Sequence, residues 1–284
     1  MAERHAIVRR MLRRAVVSRL PQPAVAILRR VARTNLPHVA EAPWDRTYLA
    51  RRERFIAATL DDPRMMERFA DASDLPPSYG LGYDERCVEY PWLLAQAPSG
   101  VLLDAGSTLN HSFVLDRILP TLDALHVVTL SYEGLAFPER NVSYVYDDLR
   151  RLPYRDGFFT GVASLSTLEH VGMDNTRYGG QAEAGEARRE RLRAVGELRR
   201  VTKAGSRVFI TVPYGRREDH GWLQQFDYAD VEDLVAVFRD VVVTVYRYDV
   251  QDGWQLSTPD EAADSRFGAP AAAAGAVACI SANV

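Results

Sequence analysis

Cysteine is scarce in this 284-residue chain, and the two present, Cys87 and Cys279, exclude a disulfide framework. They also have no metal-ligand spacing, so a reducing, cytoplasmic setting is expected. No apolar run approaches the ~20 residues that a membrane-spanning helix needs. The N-terminus lacks the uninterrupted apolar stretch of a signal peptide, because Arg13, Arg14 and Arg19 break it up. Internal repeats are absent, and low complexity is confined to a short Ala-rich stretch at 269–275. An excess of positive charge is missing too. With 35 Lys and Arg against 38 Asp and Glu, the net charge of −3 argues against a dedicated nucleic-acid binder.

The charge is nevertheless uneven. Residues 1–36 hold nine Arg against the single acid Glu3, which makes this segment +8 and leaves −11 for the rest. The pattern predicts two short helices at 4–19 and 23–34, broken by Pro21 and Pro23. Apolar residues from Ile7 to Leu20 recur at helical spacing with arginines on the remaining face. Such a pair either lies on an anionic membrane surface, as a peripheral contact at the inner face, or packs on its own domain. A further charged helical region is expected over 46–72. Leu75-Pro76-Pro77 and Gly80 and Gly82 then mark a connector, and 84–97 reads as a helix. The domains expected are a basic helical extension over 1–83 and a catalytic domain over 84–284.

From Gly100 onward, strands and helices alternate, the pattern of a parallel sheet covered on both faces. Strand candidates are 101–104, 126–130, 142–146, 161–165, 207–213, 240–247 and 276–282. The stretch 250–275, rich in Gly, Pro, Asp and Ala, leaves no regular crossover helix between the last two. A long hairpin is expected there, with the final strand antiparallel to its neighbour.

The stretch that carries most information is Val101-Leu102-Leu103-Asp104-Ala105-Gly106-Ser107-Thr108-Leu109-Asn110. It reads as a buried strand entering a tight turn, where glycine admits a ligand and a helix N-terminus offers free N–H groups. Three segments follow in order: Asp147-Asp148-Leu149-Arg150-Arg151-Leu152-Pro153-Tyr154, Ser166-Thr167-Leu168-Glu169-His170-Val171, and Glu197 to Gly205. The ordered set, spanning roughly 86–284, resembles the class I S-adenosylmethionine (SAM) methyltransferases. The resemblance implies a Rossmann-like α/β fold, a seven-stranded sheet with an antiparallel last strand, and SAM as cofactor.

Residue by residue, it places Asp104 and Gly106 in the first cofactor motif. The departure is a loop with one glycine, in which Ser107 and Asn110 would supply polar contacts to the methionine end. Glu133 is the nearest acid after the second strand, and a carboxylate accepts from both ribose hydroxyls at once. Asp148, or Asp147 if the register slips by one, would accept from the adenine amino group, with the Leu149 N–H on a ring nitrogen. Ser166 ends the fourth strand beneath the transferable methyl. His170 is the candidate general base, because neutral imidazole accepts a proton near neutral pH. Asp219 and His220, after the fifth strand, are rivals for that role. Glu89, Tyr90 and Trp92 either close over the cofactor or belong to the core.

Asp174, Asn175 and Tyr178 lie in a polar loop suited to a hydroxylated acceptor, and Tyr214 follows the fifth strand. Asp174, Asp219, His170 and His220 have no metal-ligand spacing, so no metal is expected. The function expected is O-methylation of a sugar, a glycan or another small hydroxylated acceptor. The resemblance extends to methyltransferases associated with polysaccharide biosynthesis. One rival is a SAM-binding or glycan-assembly partner without turnover. The other is a dinucleotide-dependent oxidoreductase, disfavoured because 104–110 lacks the further glycines of GxGxxG.

Overall fold

The computed structural model describes residues 44–176, 186–268 and 273–284. The helices expected at 4–19 and 23–34, the membrane contact through 1–36 and Tyr178 lie outside the described residues. From Arg46 to Val284 the chain forms one compact unit.

Helix α1 (Arg46–Leu60) buries Tyr48, Arg52, Ile56 and Thr59, whose three- and four-residue spacing sets them on one face. Helix α2 (Pro63–Ala70) begins where Asp62 accepts the Arg64 N–H at 3.0 Å, with Pro63 in the first turn. The single helical region expected over 46–72 is therefore two helices. Pro63 has no N–H to continue the ladder from α1. Helix α3 (Arg86–Ala95) is buried continuously from Cys87 to Leu93. Arg52 pairs with Asp84 at 2.5 Å, and the Tyr48 hydroxyl donates to the same carboxylate at 2.9 Å. These bonds tie α1 to the entrance of α3.

Strands β1 (Gly100–Ala105), β2 (Leu122–Thr129), β3 (Val142–Tyr146), β4 (Phe159–Leu165) and β5 (Thr202–Pro213) build the parallel part of the sheet. A two-residue hairpin, β6 (Glu218–Asp219) with β7 (Gln224–Gln225), stands apart from it. Then come β8 (Arg239–Asp249), β9 (Gly253–Ser257) and β10 (Ala276–Asn283). The order across the sheet is β3-β2-β1-β4-β5-β10-β8-β9. The last strand, β10, inserts between β5 and β8 and is antiparallel to both, as the long hairpin required.

The sheet has eight strands rather than the expected seven. The addition is β9, which pairs antiparallel with β8 inside the stretch read as irregular. Its turn is closed by Asp249, whose Oδ1 accepts the N–H groups of Gln251 and Asp252. Gly253 has φ +74°, and a Cβ there would lie 2.3 Å from the Tyr79 carbonyl oxygen. Burial of Trp254 (0% exposed) supplies the apolar anchor that keeps this edge strand in place.

Alternate residues of each strand face opposite sides, so Leu102 and Leu103 enter different cores. One core packs the sheet against α5 (Ala187–Val201) and α6 (Tyr228–Val235) through residues such as Leu198 and Val231. The other packs it against α1, α2, α3 and α4 (Ser112–Ile118) through Ile56, Phe69, Leu93 and Leu115. A one-turn helix, α7 (Pro259–Ala262), follows β9. Both cysteines are free and buried. Among the described residues no helix is long and apolar enough to cross a membrane, and no cluster of His, Cys, Asp and Glu is suited to a metal ion.

Candidate functional site

Strand β1 lies between β2 and β4, so the chain direction of sheet growth reverses there. In open parallel sheets a crevice opens beyond the strand C-termini at such a point. A cavity of about 340 Å³ lies here, lined by residues following β1, β2, β3 and β4 and by α3. That volume is within the ~300–1,000 Å³ common for small-molecule sites.

Of the described residues singled out from the sequence, Tyr90, Gly106, Ser107, Glu133, Asp148, Leu149, Ser166, His170 and Asn175 line this cavity. The other described ones sit elsewhere. Asp104 is fully buried behind the turn, its Oδ1 accepting the Thr108 N–H at 3.1 Å and its Oδ2 the Leu109 N–H at 2.8 Å. Burial pushes its carboxyl up to about 7, against the pull of those two N–H groups. The turn thus consumes two of the backbone donors that its geometry would otherwise present to a ligand.

Asn110 stands behind the wall as a support. Its Nδ2 donates to Glu133 Oε2 at 3.1 Å and to the Leu135 carbonyl at 2.9 Å, while its Oδ1 accepts from the Tyr144 hydroxyl at 2.8 Å. A fully engaged amide of this kind fixes the Glu133 carboxylate in direction. Asp148 is held by Arg150 through the backbone N–H and the guanidinium, and Arg150 reaches on to Glu190 at 3.0 Å. Burial opposes ionisation of Asp148, but the bonds from Arg150 outweigh it and keep the carboxyl below its usual range. The adjoining Leu149 N–H makes no hydrogen bond among the described residues.

Gly106 has φ +122°, and a Cβ there would lie 2.1 Å from Thr167 Oγ1 and 2.5 Å from its Cγ2. The glycine is therefore required by its packing against the β4 loop, apart from any ligand. Ser107 also has a positive φ, +62°, and its buried Oγ has no partner. Ser166, at φ +39°, donates from Oγ to Glu89 Oε1 at 2.5 Å, and the same oxygen accepts from Thr211 Oγ1 at 2.5 Å. Backbone strain at a cavity wall is sustained only where the surroundings over-determine it, as this buried network does.

His170 is partly buried and stacks on Trp222 with centroids 5.2 Å apart and planes 23° from parallel. Its Nδ1 lies 2.8 Å from the Trp222 carbonyl oxygen. A carbonyl only accepts, so Nδ1 carries the proton and Nε2 is the acceptor nitrogen. Nε2 is 3.8 Å from Glu169 Oε1. Burial raises the Glu169 carboxyl well above its usual range, and its Oε2 is without a partner. Burial lowers His170 to about 4, outweighing the Trp222 bond, with the Arg86 charge acting in the same downward direction.

The second polar cluster does not line the cavity. Asp219 Oδ1 accepts the Gly221 N–H at 2.7 Å, and His220 lies 3.5 Å from Glu218 Oε2 with its ring against Phe267. Asp174 caps the Thr176 N–H at 3.0 Å, and the buried Tyr214 donates to the Pro259 carbonyl at 3.3 Å. Asn175, on the wall, donates from Nδ2 to the carbonyls of His170 and Met173.

Wall residues not selected from the sequence include Arg86, Thr108, His111, Thr129, Arg150 and Thr167. Arg86 and Tyr90 arrive from α3, whose near-continuous apolar burial disguises the two polar groups it turns toward the crevice. Tyr90 belongs to the core at 1% exposed while also lining the cavity, and its hydroxyl donates to the Thr108 carbonyl at 2.8 Å. Trp92 belongs to the core, packed edge-on against Phe209.

No protein-family model matches the chain, and no curated protein matches it either. Solved structures do. The N-methyltransferase NodS from Bradyrhizobium japonicum WM9, in complex with S-adenosyl-L-homocysteine, is 14% identical with a TM-score of 0.45, over 84% of this chain and 99% of that one. The 1,6-didemethyltoxoflavin-N1-methyltransferase of Burkholderia thailandensis, with 1,6-didemethyltoxoflavin and S-adenosylhomocysteine bound, is 13% identical with a TM-score of 0.44, over 86% and 93%. The [4+2]-cyclase SpnF is 20% identical with a TM-score of 0.38, over 53% and 58%. At such scores these likenesses carry no weight for function, and the fold rests on the strand order itself.

Proposed function

We propose that this protein is a SAM-dependent methyltransferase that O-methylates a small hydroxylated acceptor, a sugar or glycan unit among them. The observation that carries the reading is the convergence of Ser107, Glu133, Leu149, Ser166 and His170 on one cavity beyond β1–β4. The residues present fit the cofactor chemically. Glu133 offers a carboxylate oriented by Asn110, Leu149 an unengaged N–H, and Ser107 a buried hydroxyl without a partner. These suit a ribose diol, an adenine ring nitrogen and a polar amino-acid end in turn.

When bound, the cofactor supplies an electrophilic methyl group on a sulfonium. The chain's own task is alignment and removal of one proton. His170 is suited to the second part, because its Nδ1–H is committed to the Trp222 carbonyl and Nε2 keeps the lone pair. As a C–O bond forms, the acceptor oxygen gains positive charge and its proton becomes strongly acidic. A base depressed to about 4 is then sufficient, and it stays unprotonated at neutral pH.

The test is calorimetry of the purified chain with SAM and S-adenosylhomocysteine, followed by methyl-transfer assays on hydroxylated acceptors. His170→Ala is expected to lower turnover by about 10²–10⁴-fold while S-adenosylhomocysteine affinity stays within a few-fold. Binding of a nicotinamide dinucleotide with none of SAM would overturn the reading.

A further inference from the structure

The β6–β7 hairpin pairs only two residues with two, Glu218 with Gln225 and Asp219 with Gln224. A ladder that short does not hold itself in place, because an isolated hairpin is marginal in water at best. Yet this hairpin carries the Trp222 carbonyl that lies 2.8 Å from His170 Nδ1. Two buried glutamines of β7 anchor it. Gln225, fully buried, donates from Nε2 to the carbonyls of Arg216 and Ser265 at 2.7 and 2.8 Å. That fastens β7 to the chain just before the hairpin and just after α7. Gln224, also buried, accepts at Oε1 from Arg191 Nη2 at 2.7 Å, which fastens β7 to α5.

Arg191 comes from the buried face of α5, where Ala194, Val195 and Leu198 are core. It is 2% exposed, and its guanidinium lies 4.9 Å from the centre of the Phe226 ring. Its Nη1 is buried without a hydrogen-bond partner. Such a side chain is a poor choice for stability. Taking a guanidinium out of water is costly, and apolar side chains of similar volume in place of a buried polar pair are often neutral or stabilising. What the guanidinium does, and an apolar side chain would not, is hold the Gln224 amide in one direction two residues from Trp222. The turn that carries Glu169 and His170 packs against both α5 and β7, so the tie lies where these elements meet.

We propose that Arg191 is a positioning residue for His170. Through Gln224 it fixes β7 and the Trp222 carbonyl, and so the Nδ1–H tautomer that leaves the lone pair on Nε2. The assignment rests on His170 as the base of the proposed methyl transfer, and adds a residue that lies outside the cavity wall. It also gives the second polar cluster a task, although neither Asp219 nor His220 lines the cavity.

The experiment reads the imidazole directly. Nitrogen NMR of the full chain carrying isotope-labelled histidine separates the two tautomers, and His170→Gln identifies that ring among the six. Wild type is expected to show Nδ1–H. Arg191→Met/Gln224→Met removes donor and acceptor together and strands neither, so its melting midpoint should stay within a few degrees of wild type. Its His170 should populate both tautomers, a shift in their ratio of about 10-fold. Gln224→Glu keeps an acceptor for Arg191 and should keep the wild-type tautomer, a rescue that lost packing alone does not predict. S-adenosylhomocysteine affinity, measured by calorimetry, should stay within about twofold in these two variants of the tie. An unshifted tautomer in the folded double variant would overturn the assignment and leave the cofactor reading intact. Unfolding of the double variant would also overturn it, by making the pair structural. Nε2–H in wild type would overturn it together with His170 as the base. Failure of wild type to bind S-adenosylhomocysteine would overturn the cofactor reading and with it the role given to Arg191, whatever the tautomer.

Discussion

Replacing Gly106 with alanine tests the site's geometry without reference to any ligand. Two penalties add. The backbone at φ +122° lies where L side chains are strained, at about 1–3 kcal/mol. The new Cβ would also sit 2.1 Å and 2.5 Å from Thr167 Oγ1 and Cγ2. Thr167 cannot simply rotate away, because its Oγ1 donates to the Leu165 carbonyl at 2.9 Å. Forcing a methyl into a packed site costs about 1–3 kcal/mol. Together they predict destabilisation of roughly 2–6 kcal/mol, a large part of a typical total of 5–15. Since 1 kcal/mol moves the midpoint of a unit this size by about 2–4 °C, thermal unfolding should shift by roughly 4–24 °C. Thr167→Ala in the same chain removes the two nearest atoms but leaves Cβ at 2.8 Å and the φ untouched. The double variant should therefore recover some of the packing loss and none of the backbone part. A Gly106→Ala midpoint within about 1 °C of wild type would refute this account of the turn.

The buried pair Arg52–Asp84 supports α1 against α3, with side chains 7% and 1% exposed. Arg52→Met should cost about 3–5 kcal/mol in chemical denaturation, because Asp84 keeps its charge and loses its partner; an unchanged midpoint would contradict this. His111 and His170 are both lowered to about 4, chiefly by burial. Their folded pKa lies below the unfolded value of about 6.5, so the unfolded chain binds more protons on acidification. Each histidine's contribution is complete above pH ~6.5 and is lost as pH falls towards 4, up to about 3 kcal/mol each. Asp104, raised to about 7, acts oppositely and stabilises as pH falls through that window. Glu85 and Glu169, also raised by burial, act in the same sense as Asp104. His111→Gln should thus shift the slope of denaturation midpoint against pH between about 6.5 and 4 towards greater stability at the acid end than in wild type. An identical slope in variant and wild type would refute a contribution from the buried imidazole.

Parts of this site were legible because local sequence and tertiary position coincide. Val101 to Gly106 is an apolar strand ending in a capping carboxylate and a glycine, and its neighbours β2, β3 and β4 are continuous apolar runs that parallel pairing demands. Their C-terminal residues then converge by topology alone, which is why Glu133, Asp148 and His170 were found. The same rule failed for Asp219 and His220. They follow a strand C-terminus, yet the β6–β7 hairpin turns both side chains onto partners of its own. What that segment delivers to the site is a main-chain atom, the Trp222 carbonyl against His170, and no residue type announces a carbonyl.

Arg86 illustrates the opposite case. Its helix reads as core because Cys87, Val88, Tyr90, Trp92 and Leu93 are core. A charged residue at the first turn of such a helix is ordinarily a solvated end. Only the packing of α3 across the ends of β1 and β4, fixed by Glu89 to Ser166 and by Tyr90 to Thr108, turns that end inward. Once it is inward, the burial of Glu89 becomes intelligible as well. A fully buried carboxylate is costly unless paired, and here it is paired with Arg86, which lines the cavity. The elements that bind across the chain, rather than along it, set the chemistry on this side of the crevice.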